Sequence, residues 1–110
     1  MGKIRGITEV VRKGNIAILG TLDTKGREVA HMREFLEGLG YSTTIVDVGS
    51  LGPPGIQADI SSGEIARRGG VNLSGLVQTA ERDRIIEGMG RGATEILSRL
   101  YRKGRIDGVI

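Results

Sequence analysis

The chain has 110 residues, of which 38% are hydrophobic, so we expect one small domain with a single core. With one Phe, two Tyr and no Trp, that core must be built from aliphatic side chains. The absence of cysteine excludes disulfides, thiolate metal sites and cysteine nucleophiles. The sequence shows neither an apolar run of membrane-spanning length nor the pattern of a secretory leader, which predicts a cytoplasmic protein with no membrane partner.

The net charge of +3 is concentrated near the N-terminus. Residues 1–14 contain four basic residues and one acidic residue, namely Lys3, Arg5, Arg12 and Lys13 against Glu9. We interpret residues 1–14 as a basic extension, which either contacts an anionic partner or is a solvated leader, and residues 15–110 as the folded part. Because the folded part is balanced in charge and poor in aromatic residues, a nucleic-acid partner is not expected.

The first half of the chain predicts a strand, a helix and a second strand. Asn15 to Gly20 holds a continuous apolar run, which is typical of a strand covered on both faces. Thr43 to Val48 is rich in β-branched residues and predicts another strand. Between them, apolar residues recur at helical intervals and Gly40 follows as a terminator: Val29, Met32, Leu36 and Leu39. Together these elements form a βαβ unit, which implies parallel strands.

The second half predicts a loop, two helices and the start of a third strand. Residues 50–60 contain two prolines and predict a loop. A capping box at Ser61 opens a short helix that a pair of glycines ends. The longest helical pattern covers residues 85–100, and residues 107–110 begin another apolar run.

Three glycines interrupt the long helical pattern in the stretch GMGRG, which contains Gly88, Gly90 and Gly92. Each glycine inside a helix costs roughly 1 kcal/mol relative to alanine. Two interpretations remain open for them. The glycines either form a close-packing face, with Gly88 and Gly92 one turn apart, or a bend that faces an anion.

These elements predict a Rossmann-like α/β arrangement of three layers around a short parallel sheet. A strand that begins with IDGVI should be followed by a turn and a crossover, and a sheet of three strands has exposed edges. We therefore expect a sheet that is incomplete at its C-terminal edge. It is either half of an α/β domain or a sheet completed by a second copy, which would make the protein a homo-oligomer.

The stretch GTLDTKG follows the first strand and is the main candidate for a ligand site. It matches neither the dinucleotide fingerprint nor the nucleoside-triphosphatase loop. Its position suits a ligand, since helix N-termini at the carboxyl ends of parallel strands attract anions. Thr21 and Thr24 can donate to phosphate oxygens, Lys25 can supply positive charge, and Asp23 can orient a ribose or hold a hydrated magnesium ion.

A purely structural interpretation of the same residues is equally open. Asp23 or Thr24 can cap the helix while Lys25 points to solvent. Asp47, at the end of the second strand, occupies a position typical of ribose-binding carboxylates, or it caps its own loop. His31 is the sole histidine of the chain and lies within the first helix, so no catalytic base is evident.

Three stretches resemble a known family when taken in order: GTLDTKG, then VDVG followed by GPPG, and finally GRIDGVI. The chain from residue 15 to residue 110 closely resembles the N-terminal part of the tobamovirus-resistance-protein-like ATP-binding family. This resemblance implies a Rossmann-like α/β protein that self-associates and binds ATP, with or without magnesium, in a cleft.

The resemblance also implies which residues contact the nucleotide. On the matching positions these are the first loop, the end of the second strand and the start of the long helix: Gly20, Thr21, Asp23, Thr24, Lys25, Asp47, Gly49 and Arg82. Members of that family continue beyond the GRIDGVI strand into a glycine- and serine-rich loop that resembles the principal phosphate cradle. We therefore expect this chain to carry one wall of an ATP site.

The leading hypothesis is a nucleotide-binding module that needs a partner or a further segment to complete its site. The alternative is a structural or oligomerisation domain that binds no ligand. Whether the chain has enzymatic activity is left open, because no residue stands out as a catalytic base.

Overall fold

The computed structural model describes residues 13–73 and 79–110. The predicted basic extension, residues 1–14, lies outside this range except for Lys13 and Gly14. The described elements are, in chain order, β1 (Asn15–Gly20), α1 (Leu22–Gly38), β2 (Ser42–Asp47), α2 (Ser62–Gly69), α3 (Thr79–Arg102) and β3 (Gly108–Val109). None of the helices in this part of the chain is long and apolar enough to cross a membrane.

The three strands form one parallel sheet in the order β2-β1-β3. β1 pairs along its whole length with β2, from Asn15 opposite Ser42 to Gly20 opposite Asp47. Its other side pairs with the two residues of β3. The predicted α/β class and the short parallel sheet are therefore confirmed, with β1 at the centre.

Helices cover both faces of this sheet. Ala17 and Val46 point to one face, where they pack with the apolar sides of α2 and α3. Ile18 and Ile45 point to the other face and pack against α1. This division follows from the strand period, because successive side chains of a strand alternate between faces. The result is the three-layer arrangement that the uninterrupted apolar strands predicted.

α1 buries less of its apolar surface than the sequence pattern predicts. Val29 and Leu36 are buried, whereas Met32 and Leu39, which share the same helical spacing, are exposed. Phe35 lies beside them and is also exposed. Among the described residues, α1 packs against the sheet and, near its start, against the loop after β2, and these contacts leave this part of its apolar stripe uncovered.

The carboxyl half of the outer edge of β2 is covered, in contrast to the expectation of exposed edges. The backbone N–H of Asp47 donates to the carbonyl of Ile60, and the N–H of Ile60 donates to the carbonyl of Ile45, both at 3.0 Å. Asp59 adds a carboxylate oxygen that accepts from the Ile45 N–H at 2.7 Å. One extended residue of the long loop thus covers this edge, which limits edge-to-edge association there.

Gly88 and Gly92 of α3 serve close packing, as one of the two interpretations predicted, whereas Gly90 has open space beside it. A Cβ atom on Gly92 would collide with the carbonyl of Ile65 in α2. One on Gly88 would collide with the side chain of Val71, two residues after the end of α2. On the other side, a Cβ atom on Gly69 would collide with the carbonyl of Gly88. The backbones of α2 and α3 are therefore in direct contact, and this contact fixes where α3 stands over the sheet.

Candidate functional site

A cleft of about 520 Å³ lies at the carboxyl ends of β1 and β2, against the first half of α3. That volume is within the range of small-molecule sites in proteins, and the position is the one where ligands bind in open parallel sheets. The cleft is lined by residues of three regions: Leu19, Thr21, Asp23 and Thr24 from β1 and the start of α1; Val48, Ser50 and Leu51 from the loop after β2; and Arg82, Ile86, Met89, Gly90 and Ala93 from α3.

Four of the residues proposed from the sequence meet in this cleft: Thr21, Asp23, Thr24 and Arg82. Arg82 is more than 50 residues from the others along the chain, and the packing of α3 over the sheet brings it to them. With Ser50, the lining therefore combines one cationic side chain, one carboxylate and three hydroxyl groups with an apolar floor.

The hydroxyl groups of Thr21 and Thr24 lie 2.8 Å apart at the exposed start of α1. Thr21 is the N-cap residue, yet its side chain makes no capping hydrogen bond. Instead, its backbone carbonyl accepts from the N–H groups of Thr24 and Lys25. The Thr24 hydroxyl also donates to the Thr21 carbonyl at 3.3 Å, so its hydrogen is held within this turn. The Thr21 hydroxyl is therefore the one that could donate to a ligand oxygen.

Asp47, the last residue of β2, caps the N-terminus of α1 with its side chain. Its side chain is only 3% exposed, and Oδ1 accepts from the backbone N–H of Leu22 at 3.1 Å and of Gly49 at 2.8 Å. A carboxylate at a helix N-terminus is favourable because it neutralises free N–H groups and the positive end of the helix dipole. This geometry matches the loop-capping alternative for Asp47, which does not line the cleft.

Asp23 connects α1 to the loop after β2. Its Oδ2 atom accepts from the backbone N–H of Leu51 at 2.8 Å. Its Oδ1 atom is buried and has no hydrogen-bond partner among the residues that the structure describes. A Cβ atom on Gly49 would lie 2.5 Å from this Oδ1 atom, so only glycine leaves room for the carboxylate in this place.

Lys25 is not brought to the cleft. Its ammonium group is 3.9 Å from a carboxylate oxygen of Glu28, and its side chain is 63% exposed. The backbone of Lys25 also departs from helical geometry, with φ −121° and ψ 20°. The structure thus places Lys25 in the solvent, the alternative that the sequence left open, and an exposed pair of this kind contributes little to stability.

Gly20 does not line the cleft either, although its neighbours Leu19 and Thr21 do. A Cβ atom on this residue would lie 2.6 Å from the Cγ2 atom of Val29, so its role is to let the end of β1 approach α1. Gly49 likewise acts through the space it leaves for Asp23. Of the eight residues proposed from the sequence, these two glycines, Lys25 and Asp47 stand outside the lining.

The apolar half of the cleft was not foreseen from the sequence. Ile86 and Met89 belong to the helical stripe that predicted α3, and such a stripe normally indicates core. Leu51 lies in the irregular loop after β2, where a single leucine carries no signal. Within residues 13–73 and 79–110, no group of three or more His, Cys, Asp or Glu side chains is arranged to hold a metal ion.

Residues 14–110 match a protein family described as the N-terminal domain of the uncharacterised family UPF0261. The chain belongs to this family. It is 36% identical over 95 residues to a UPF0261 protein of Clostridium tetani, an alignment that covers 86% of the chain and 24% of that protein. UPF0261 proteins of Brucella suis and Brucella melitensis are each 30% identical over 95 residues, covering 86% of the chain and 23% of their own length.

The chain therefore spans about a quarter of the length of the UPF0261 proteins that it matches. No solved structure matches it significantly. Since the family is described as uncharacterised, the function of this UPF0261 domain has to be argued from the cleft itself.

Proposed function

We propose that this domain is a nucleotide-binding module whose cleft contributes one wall of an ATP site. The observation that carries the proposal is the meeting of Thr21, Thr24 and Arg82 at the carboxyl edge of the sheet. β2 and β3 lie on opposite sides of β1, so the order of strands reverses direction at β1. Open α/β sheets bind nucleotides at such switch points. The resemblance to the tobamovirus-resistance-protein-like ATP-binding family supports the same ligand.

The chemistry of the three residues suits phosphate. A guanidinium group offers paired donors that match phosphate oxygens, and hydroxyl groups add neutral donors at the start of a helix. Magnesium usually binds through one or two carboxylates together with substrate phosphates. In this cleft Asp23 is the carboxylate that could take part, so magnesium would bind with ATP rather than ahead of it.

Calorimetric titration of the chain with ATP, with and without magnesium, tests the proposal. We expect Arg82→Ala to weaken binding about tenfold to hundredfold, the value of a hydrogen bond to a charged group. The matched control is Arg84→Ala, which removes an exposed arginine of the same helix that does not line the cleft. Absence of binding by the unaltered chain, or an equal effect of both substitutions, would contradict the proposal.

Self-association without a ligand is the second candidate function. One observation favours it: β3 hydrogen-bonds to β1 on one side, and Val109 and Ile110 remain about half exposed. A strand with an open edge is a template for another strand. Sedimentation velocity tests this candidate, and a folded chain that stays strictly monomeric at high concentration would eliminate it.

A further inference from the structure

Two large apolar side chains of the cleft are more than half exposed, although they lie beside buried neighbours. Leu51 is 56% exposed and Ile86 is 57% exposed, whereas Met89, one turn further along α3, is 4% exposed. Leu51 comes from the loop after β2 and Ile86 from α3, yet both line the same cleft. Exposed apolar surface that is grouped in a concave site is typical of ligand binding.

We infer that Leu51 and Ile86 form a slot for the flat ring of a nucleoside, with Met89 as its floor, and that Asp23 holds the slot in shape. This inference rests on the proposed function, because it assigns the base end of the same ligand. A planar base gains from burial between aliphatic side chains in proportion to the apolar area removed from water.

The order of side chains along α3 supports a nucleoside as the occupant. Arg82, Ile86, Met89 and Ala93 follow at intervals of four, three and four, which places them on one face of the helix. This face extends for about 16 Å at the helical rise per residue, with the charge at its outer end and apolar surface toward the sheet. A nucleotide has a comparable succession, from charged phosphates through the ribose to a flat ring whose two faces can pack against apolar side chains.

Asp23 fixes the position of Leu51 through the main chain. The 2.8 Å hydrogen bond from the Leu51 N–H to Oδ2 ties the loop to the first turn of α1. A second tie follows four residues later, where the N–H of Gly55 donates to the carbonyl of Leu22 at 2.8 Å. Asp23 is thus a positioning residue, whose effect on the ring is exerted through Leu51.

Adenosine and inorganic triphosphate, titrated separately into the whole chain, distinguish the two ends of the site. We expect Leu51→Ala and Ile86→Ala each to weaken adenosine binding about fivefold to tenfold through lost apolar contact, and to leave triphosphate binding unchanged. Leu39→Ala is the matched control, since Leu39 is an exposed leucine at the C-cap of α1 that does not line the cleft. If Leu51→Ala and Ile86→Ala bind adenosine as tightly as Leu39→Ala and the unaltered chain do, the proposed slot is wrong.

The role of Asp23 is tested in the same titrations. We expect Asp23→Ala to weaken adenosine binding as much as Leu51→Ala does, and Asp23→Asn to restore it, because an amide oxygen still accepts from the Leu51 N–H. The double variant of Asp23→Ala with Leu51→Ala should bind no worse than Leu51→Ala alone. Additive losses would show that Asp23 contacts the nucleoside directly and would overturn its positioning role.

Failure of this inference differs from failure of the proposed function. If ATP binds and depends on Arg82 while the Leu51 and Ile86 variants bind adenosine normally, the slot is refuted and the phosphate site stands. If adenosine binds and depends on the slot while ATP gains nothing from its phosphates, the phosphate site is refuted and the slot stands. If neither compound binds, both are overturned.

Discussion

At the scale of single residues, two carboxylates at the same edge of the sheet serve different purposes. Asp47 is buried and accepts two backbone N–H groups through one oxygen, so it belongs to the internal framework of α1 and the following loop. Asp23 uses one oxygen for Leu51 and lines the cleft with its remaining surface. Their positions in the sequence did not separate these roles, because Asp47 ends β2 and Asp23 lies shortly after β1. Spacing along the chain does not show which backbone N–H groups lie near each carboxylate.

Asp47→Ala tests the framework role. The substitution would leave the N–H groups of Leu22 and Gly49 without their partner in a buried place, which costs about 2 kcal/mol in the free energy of unfolding. Asp83→Ala, at an exposed carboxylate of α3, is the control and should change that free energy by less than about 0.5 kcal/mol. Urea unfolding measures both variants, and equal stabilities would contradict the structural assignment.

Lys25→Ala separates the sequence-based site from the observed one. The sequence and the family resemblance both proposed Lys25 as a phosphate contact, but its ammonium group pairs with Glu28 outside the cleft. We therefore expect this variant to bind ATP with the affinity of the unaltered chain, in the calorimetric assay used for Arg82→Ala. Loss of binding comparable to that of Arg82→Ala would place phosphate at the exposed side of α1 and refute the cleft.

At the scale of elements, the position of α3 depends on glycine. A side chain on Gly69 of α2 or on Gly92 of α3 would force the two helices apart, and one on Gly88 would displace Val71. The close contact between α2 and α3 sets the positions of Arg82, Ile86 and Met89 relative to the carboxyl ends of the strands. These three residues form one wall of the cleft. The helical cost of these glycines is consistent with a packing role that alanine could not fill.

Gly92→Ala and Gly90→Ala form a matched pair with opposite expected signs. A Cβ atom on Gly92 would collide with the carbonyl of Ile65 and lie 3.0 Å from the nitrogen of Gly69, so overpacking should lower stability by about 1 to 3 kcal/mol. A Cβ atom on Gly90 would meet nothing within 4 Å, so alanine should raise stability by up to about 1 kcal/mol through helix propensity. Destabilisation by both, measured by urea unfolding, would contradict the assigned packing.

At the scale of the whole molecule, the sequence predicted the layers better than it predicted the site. Uninterrupted apolar strands and helical spacing are local signals, and they were sufficient for the three elements of the βαβ unit and for the parallel sheet. The cleft depends on contacts between distant segments. Leu51 lines the cleft but belongs to a loop that has no periodic sequence pattern. Ile60, which pairs with the outer edge of β2, belongs to the same loop.

The molecule as a whole presents a cleft with a charged outer end, an apolar floor and a loop tied over it by Asp23. The matching UPF0261 proteins are about four times as long as this chain, so further segments of such proteins can contribute to a complete site. We expect the wall of the cleft that this domain carries to receive a nucleotide.

The most direct test of that claim is a titration of the isotopically labelled chain with ATP, followed by the shifts of its backbone amide signals in NMR spectra. We expect the largest shifts at Thr21, Leu51 and Ile86, because these residues line the cleft from its three regions. Unchanged spectra, or shifts concentrated at Thr94 and Ser98 on the outer face of α3, would contradict a nucleotide site at the carboxyl edge of the sheet.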